Sequence, residues 1–152
     1  MKISQLPALI MALTLVVPVA LAGTRQEEAN KKIVLDFYDK AINQKDFEAA
    51  SKYLRTVYKQ HNPLAADGPE GLKAFLEFAK QNLSTYHTEF KQVFADGDYV
   101  IVHAHARAHP DDPADRGTAV MDIFRLEHGK VVEHWDVAQP VPEKSNNANG
   151  MF

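Results

Sequence analysis

Cysteine is absent from the 152 residues, which excludes thiol nucleophiles, thiolate metal sites and disulfide staples. Tryptophan occurs once, and there is no basic excess: 17 Lys plus Arg stand against 20 Asp plus Glu, a net charge of −3. A chain of that balance carries no electrostatic footprint for a polyanion, so nucleic acid is excluded as a partner class. Long apolar runs are missing except at the N-terminus. There Lys2 precedes an apolar run from Leu6 to Leu21 that ends in Ala20-Leu21-Ala22, small at both positions a signal peptidase reads. The run is short and holds Pro7 and Pro18, which argues against a retained membrane span. Residues 1–22 therefore read as a secretory leader, and the mature chain as periplasmic or secreted, free of the membrane after cleavage. Loss of Lys2 leaves 16 bases against 20 acids, a net charge near −4.

What remains is one domain's worth of chain, long enough to bury a core unaided. Its first part is helical in pattern. From Glu27 to Asn43 the residues Ile33, Val34, Phe37, Tyr38, Ala41 and Ile42 recur at steps of three and four, one buried stripe on a helix. Asp46 caps a second, short helix with Phe47, Ala50, Tyr53 and Leu54 along its inward edge. An extended segment runs from Thr56 to Pro63, and Pro69 opens a third helix that continues to about Leu83. Beyond Ser84 the period changes to two: Tyr86, Thr88, Phe90, Gln92 and Phe94 alternate with more polar neighbours as far as the turn Asp96-Gly97. Further strands are expected over Tyr99–Ala108, Gly117–Glu127 and Lys130–Gln139. Helices first and an antiparallel meander afterwards describe an α+β domain over residues 23–142, followed by an aperiodic tail over 143–152.

The last two strands form a hairpin that carries acids and a histidine where core residues are expected. A three-residue loop Glu127-His128-Gly129 places Leu126 opposite Lys130 and Asp122 opposite His134, whereas a two-residue loop His128-Gly129 slips the pairing by one and sets Asp122 beside Trp135. In the first register Val120, Asp122, Phe124, Val132, His134 and Asp136 share one face. Met121, Ile123, Arg125, Val131, Glu133 and Trp135 share the other, with Arg125 able to pair diagonally with Glu133.

The order of elements, together with Gln60-His-Asn-Pro63, the turn Asp96-Gly97-Asp98 and the run from Asp122 through Gly129-Lys130 to Glu133-His-Trp-Asp136, resembles the SnoaL-like proteins of the nuclear transport factor 2-like superfamily. The resemblance spans about residues 27–142. It implies a cone-shaped α+β barrel, three N-terminal helices packed on a curved antiparallel sheet around an apolar pocket, and a homodimer formed through the outer sheet face. It also implies a spread of activities, from cofactor-independent polyketide cyclases that perform aldol condensation to isomerases, hydratases, epoxide hydrolases and binding modules, so fold leaves function open. In the cyclases a strand aspartate is the acid/base. Asp122 matches it, and a histidine on the preceding strand, His105 or its neighbour His103, accompanies it.

Removing a proton alpha to a carbonyl needs a carboxylate desolvated enough to be basic, and a donor for the enolate oxygen. Asp122 between Val120 and Phe124 meets the first need, and His134 or His105 the second. Tyr58, His61, Asn62, His103, Phe124 and Asp136 are expected to contact the ligand. The reading is an exported homodimer that takes a small, largely apolar carbonyl compound without cofactor or metal. Two rivals stand beside it. One is a non-catalytic binding module in which Asp122 and His134 are a satisfied polar pair. The other is a metalloenzyme built on His103, His105, His134, Asp136, Asp122 and His61, since alternate strand residues place pairs on one face about 7 Å apart.

Overall fold

The computed structural model describes residues 20–152. The expected leader, residues 1–22, lies almost wholly outside them, and only Ala20–Ala22 fall inside, as the start of the first helix. No helix among the described residues is long and apolar enough to cross a membrane.

Helix α1 (Ala20–Tyr38) buries Val34, Phe37 and Tyr38 on the stripe its periodicity marks, and Ala41 continues that stripe. The expected single helix to Asn43 changes character at its end, because Asp39–Asn43 winds as one π-helical turn. That wider turn frees Asn43 to pair with Thr88, donating to its carbonyl and accepting from its amide at 2.8 Å. Helix α2 (Phe47–Ser51) starts where expected, with the Asp46 carboxylate accepting from the Ala49 amide at 3.0 Å. It is shorter than its apolar pattern suggests. Leu54 belongs to strand β1 (Leu54–Gln60), not to the inward edge of the helix. Helix α3 (Gly68–Asn82) has Pro69 in its first turn and buries Leu76 and Ala79. Gly71 faces the preceding loop so closely that a Cβ there would lie 2.1 Å from the Ala66 carbonyl oxygen, which fixes the loop over residues 61–67 against the helix.

Strands β2 (His87–Asp96), β3 (Tyr99–Arg107), β4 (Thr118–Glu127) and β5 (Lys130–Pro140) form the antiparallel meander, and β1 joins its edge in parallel beside β5. The curved sheet runs β1-β5-β4-β3-β2 and does not close. Its concave face holds the core: Val100, Val102 and Ala104 of β3, Phe124 and Leu126 of β4 and Val131 of β5 pack against the stripe of α1. Edge-to-face contacts of Phe124 with Phe37 and Tyr38, at 6.0 and 5.8 Å, join sheet to helix.

Two β-bulges within the antiparallel meander reset side-chain parity. In β2 the register shifts between Phe90 and Gln92, so Val93 and Ala95 face the core while Phe94 is 54% exposed. The uninterrupted alternation expected from Tyr86 to Phe94 is therefore corrected beyond Phe90. In the β4–β5 hairpin the turn is the two-residue loop His128-Gly129, both with positive φ (51° and 72°), between the pair Glu127 and Lys130. Positive φ at both central positions is the primed turn that suits strand twist. Val131 then pairs with Leu126 but Glu133 with Arg125, leaving Val132 as an extra residue. Neither expected register survives: Asp122 sits opposite Asp136, and Phe124 opposite His134. The bulge nevertheless restores the parity of the first register from Glu133 onward. Val131 and Val132 alone exchange places, Val131 in the core and Val132 outside beside Arg125 and Lys59.

Candidate active site

Between the helices and the concave face lies a cavity of about 250 Å³ whose apolar walls include Phe37, Ile42, Leu72, Phe75, Val120 and Phe124. Its polar floor comes from the hairpin. Asp122 is 3% exposed and His134 8%, and His134 Nε2 lies 3.0 Å from Asp122 Oδ1. Phe124 stacks on the imidazole at 4.6 Å between centroids, 24° from coplanar, and so holds the ring's plane.

The proton on His134 can be placed by following hydrogen bonds outward. Gln60 Oε1 accepts from the Asn62 backbone N–H at 3.0 Å, which fixes the orientation of its amide, and the same oxygen lies 3.0 Å from His134 Nδ1. An oxygen without a hydrogen can only accept, so Nδ1 carries the proton and donates. In the neutral ring Nε2 is then a bare lone pair aimed at Asp122. The 3.0 Å contact there requires one further proton, held either as the acid Asp122–H or as the imidazolium facing a carboxylate. On the other oxygen, Asp122 Oδ2 accepts from the Tyr38 hydroxyl at 3.1 Å. The shared proton therefore lies on the Oδ1 side.

Burial is the largest influence on Asp122 and lifts its pKa above the usual carboxylate range, while the hydrogen bonds from His134 and Tyr38 pull it part of the way back. Burial also pushes up the phenols of Tyr38, Tyr58 and Tyr86, with the Asp122 charge adding to each. All three remain protonated donors through the neutral range. Asp136, directly across from Asp122, has both carboxylate oxygens within 2.9 Å of Asn62 Nδ2.

The cavity thus gathers Asp122, His134, Tyr58, Asn62, Phe124 and Asp136 of the residues expected from sequence. Three others are elsewhere. Strand β3 turns its alanines and valines inward and His103 and His105 outward, where His105 Nε2 bonds the Arg116 carbonyl at 2.9 Å and neither ring reaches the cavity. His61 also lies outside. In β1 the inward parity runs Tyr58, Gln60, Asn62, so His61 is turned to stack on Trp135 at 4.5 Å and bond Glu133 at 2.9 Å. His105 as catalytic partner, and His61 and His103 as ligand contacts, are corrected on that ground. Conversely, Tyr38 and Gln60 escape the sequence reading. Gln60 was reachable by counting in twos from Tyr58, whereas Tyr38 reads as an ordinary member of an apolar stripe.

The same placement divides the metal-ligand set. Asp122, His134 and Asp136 each present a ligand atom within 4.8 Å of the others, and the remaining three histidines are on the far side of the sheet.

The family model of the SnoaL-like domain matches residues 34–134. Among solved structures, this chain is similar to Bal32a from a soil-derived mobile gene cassette (TM-score 0.63, 18% identity, 74% of this chain and 91% of that one). It is also similar to an LEH-like epoxide hydrolase of M. tuberculosis (0.61, 16%, 75% and 85%) and to a protein described as a polyketide cyclase from Bacillus cereus ATCC 10987 (0.62, 19%, 72% and 74%). Identities this low establish a shared fold and leave the chemistry to the residues. No curated protein sequence matches the chain.

Proposed function

Given that the chain belongs to the SnoaL-like domain family, whose fold serves both catalysts and binders, we propose that it is a cofactor-independent acid-base enzyme acting on a small, largely apolar carbonyl compound. The observation that carries this reading is the buried 3.0 Å contact between Asp122 Oδ1 and His134 Nε2, whose one proton follows from the tautomer set by Gln60. With that proton on the imidazole, Asp122 is a buried carboxylate inside an apolar cavity. It takes a proton from the carbon alpha to the substrate carbonyl, and the electron pair moves to the carbonyl oxygen. The negative charge leaves Asp122 and reappears on the enolate, within the field of the imidazolium and of phenols kept protonated by burial. Return of the proton at another carbon gives isomerisation, and attack of the enolate on a second carbonyl gives aldol condensation. Export and homodimerisation through the outer sheet face are part of the same proposal. The leader-like residues 1–22 support export, and the exposed Phe94 and Tyr99 on that face support dimerisation.

The test is hydrogen-deuterium exchange at the alpha carbon of a panel of cyclic ketones and enones, followed by NMR in heavy water. Wild-type protein should accelerate exchange of its preferred member, and Asp122→Asn should abolish the acceleration with affinity preserved within about threefold. Binding by both forms with exchange by neither would instead identify a non-catalytic ligand carrier.

A second reading rests on the 4.8 Å convergence of Asp122, His134 and Asp136, a donor set suited to a hard or borderline divalent ion. Stoichiometric metal retained through dialysis, and lost in Asp136→Asn, would promote it over the first.

A further inference from the structure

Of the four methionines, Met1 and Met11 belong to the leader-like segment and the other two are Met121 and Met151. Those two come from distant parts of the chain and line one hollow on the convex face of the sheet, together with His103, Ala119 and Val137. Met121 is the direct partner of His103 across β3 and β4, a position where side chains on the same face stand about 5 Å apart at Cβ. Met151 arrives with the C-terminal tail. The tail is anchored there by Phe152, whose ring stacks on His105 at 4.3 Å and on His103 at 5.5 Å while Lys91 Nζ lies 5.6 Å above it.

These are two thioethers, an imidazole and a flanking imidazole, all neutral donors, in a half-buried hollow. His105 commits Nε2 to the Arg116 carbonyl, whereas no described residue bonds a ring nitrogen of His103, so His103 is the imidazole with lone pair to offer. Thioether sulfur is a poor ligand for magnesium, calcium or zinc and a good one for soft monovalent ions. A neutral donor set also favours a singly charged ion over a doubly charged one, because the charge placed among apolar neighbours is smaller. We propose that Met121, Met151 and His103 form a binding site for copper(I), completed by docking of the C-terminal tail and separate from the cavity on the concave face. Copper stays in the +1 state throughout, and no covalent or redox step is involved.

The arrangement sets conditions a merely apolar contact would not. Both sulfurs are needed, the last two residues are needed, and the site is independent of Asp122 and His134, which face the other way from β4 and β5. The experiment is anaerobic titration of the full-length protein with copper(I) in competition with bicinchoninate. A parallel titration uses silver(I) as a redox-inert surrogate while the 13C-labelled methionine methyl signals are recorded. One equivalent should bind with a dissociation constant below micromolar, and the methyl signals of Met121 and Met151 should shift together. Met121→Leu and Met151→Leu, which keep apolar volume, should each weaken binding at least tenfold, as should removal of residues 151–152, whereas Asp122→Asn should leave it unchanged. Binding that survives the double leucine substitution, silver(I) shifts confined to other residues, or no binding at micromolar copper(I) would each overturn the proposal.

Discussion

Replacing Asp122 with Asn should make the protein more stable, and increasingly so as pH rises. The prediction follows from the tautomer. With His134 donating from Nδ1 to Gln60, its Nε2 accepts. The amide that Asp122→Asn introduces can donate to that nitrogen and accept from Tyr38 through its oxygen, reproducing both contacts of the protonated aspartic acid. The wild-type carboxyl has a folded pKa above its unfolded value, chiefly through burial. The unfolded chain therefore releases this proton first, and wild-type stability falls as pH climbs from the unfolded aspartate value, about 3.9, to the higher folded one. The variant has no such loss. Exchange of a buried charged pair for a neutral isostere that keeps the hydrogen bonds is worth roughly 1–3 kcal/mol. For a domain of this size that is a Tm increase of about 3–10 °C. Urea denaturation of both proteins from about pH 4 to pH 9 measures it. The difference should be near zero at the acidic end, grow with pH and then level off. Asp122→Ala supplies the contrast, since it strands the Tyr38 hydroxyl and His134 Nε2 and should cost about 2–4 kcal/mol. If Asp122→Asn were destabilising, or its effect flat with pH, the placement of the shared proton would be wrong.

Gln60→Leu should remove the acceptor that fixes His134 and reduce alpha-carbon exchange by about 10–100-fold with little change in ligand affinity, read as a fall in kcat at constant KM. Glu133 behaves oppositely to Asp122: the His61 hydrogen bond and then Arg125 hold its carboxyl below the usual glutamate range, so its stabilisation is present above the unfolded glutamate value and disappears as pH drops through the folded one. Glu133→Gln should cost about 0.5–1.5 kcal/mol at pH 7, the difference shrinking as pH falls below the unfolded glutamate value in an acid-extended urea titration. Trp135→Lys should convert dimers to monomers by light scattering, and an unchanged mass would count against a convex-face interface.

The course of the helices and strands was largely legible, because the stripe of Val34, Phe37, Tyr38 and Ala41 and the cap at Asp46 are local signals with local causes. The face on which Asp122, Phe124, His134 and Asp136 meet was legible too, but not by the expected pairing. A three-residue loop and a two-residue loop followed by a bulge give the same parity, and nothing in Lys130-Val131-Val132-Glu133 marks which valine is extra. The π-helical turn was equally hidden, since its cause is the pairing of Asn43 with Thr88, 45 residues away. On β3 the alternation of Val100, Val102, Ala104 and Ala106 with His103, His105 and Arg107 marks the inward face plainly, and His103 and His105 were expected at the site from the family resemblance, against that pattern.

The spare valine at position 132 separates two jobs that share one hairpin. The reversal at His128-Gly129 sets where the chain folds back, and the kink downstream decides which way the imidazole looks. Were the ladder to run on from the same reversal with that valine in register, His134 would fall opposite Ile123 and turn outward and Trp135 opposite Asp122 and turn inward, trading the acid-imidazole couple for an indole. Straightening one bulge thus suffices to turn a hollow equipped for proton transfer into a plain apolar receptacle, a short structural path between catalyst and carrier on one scaffold.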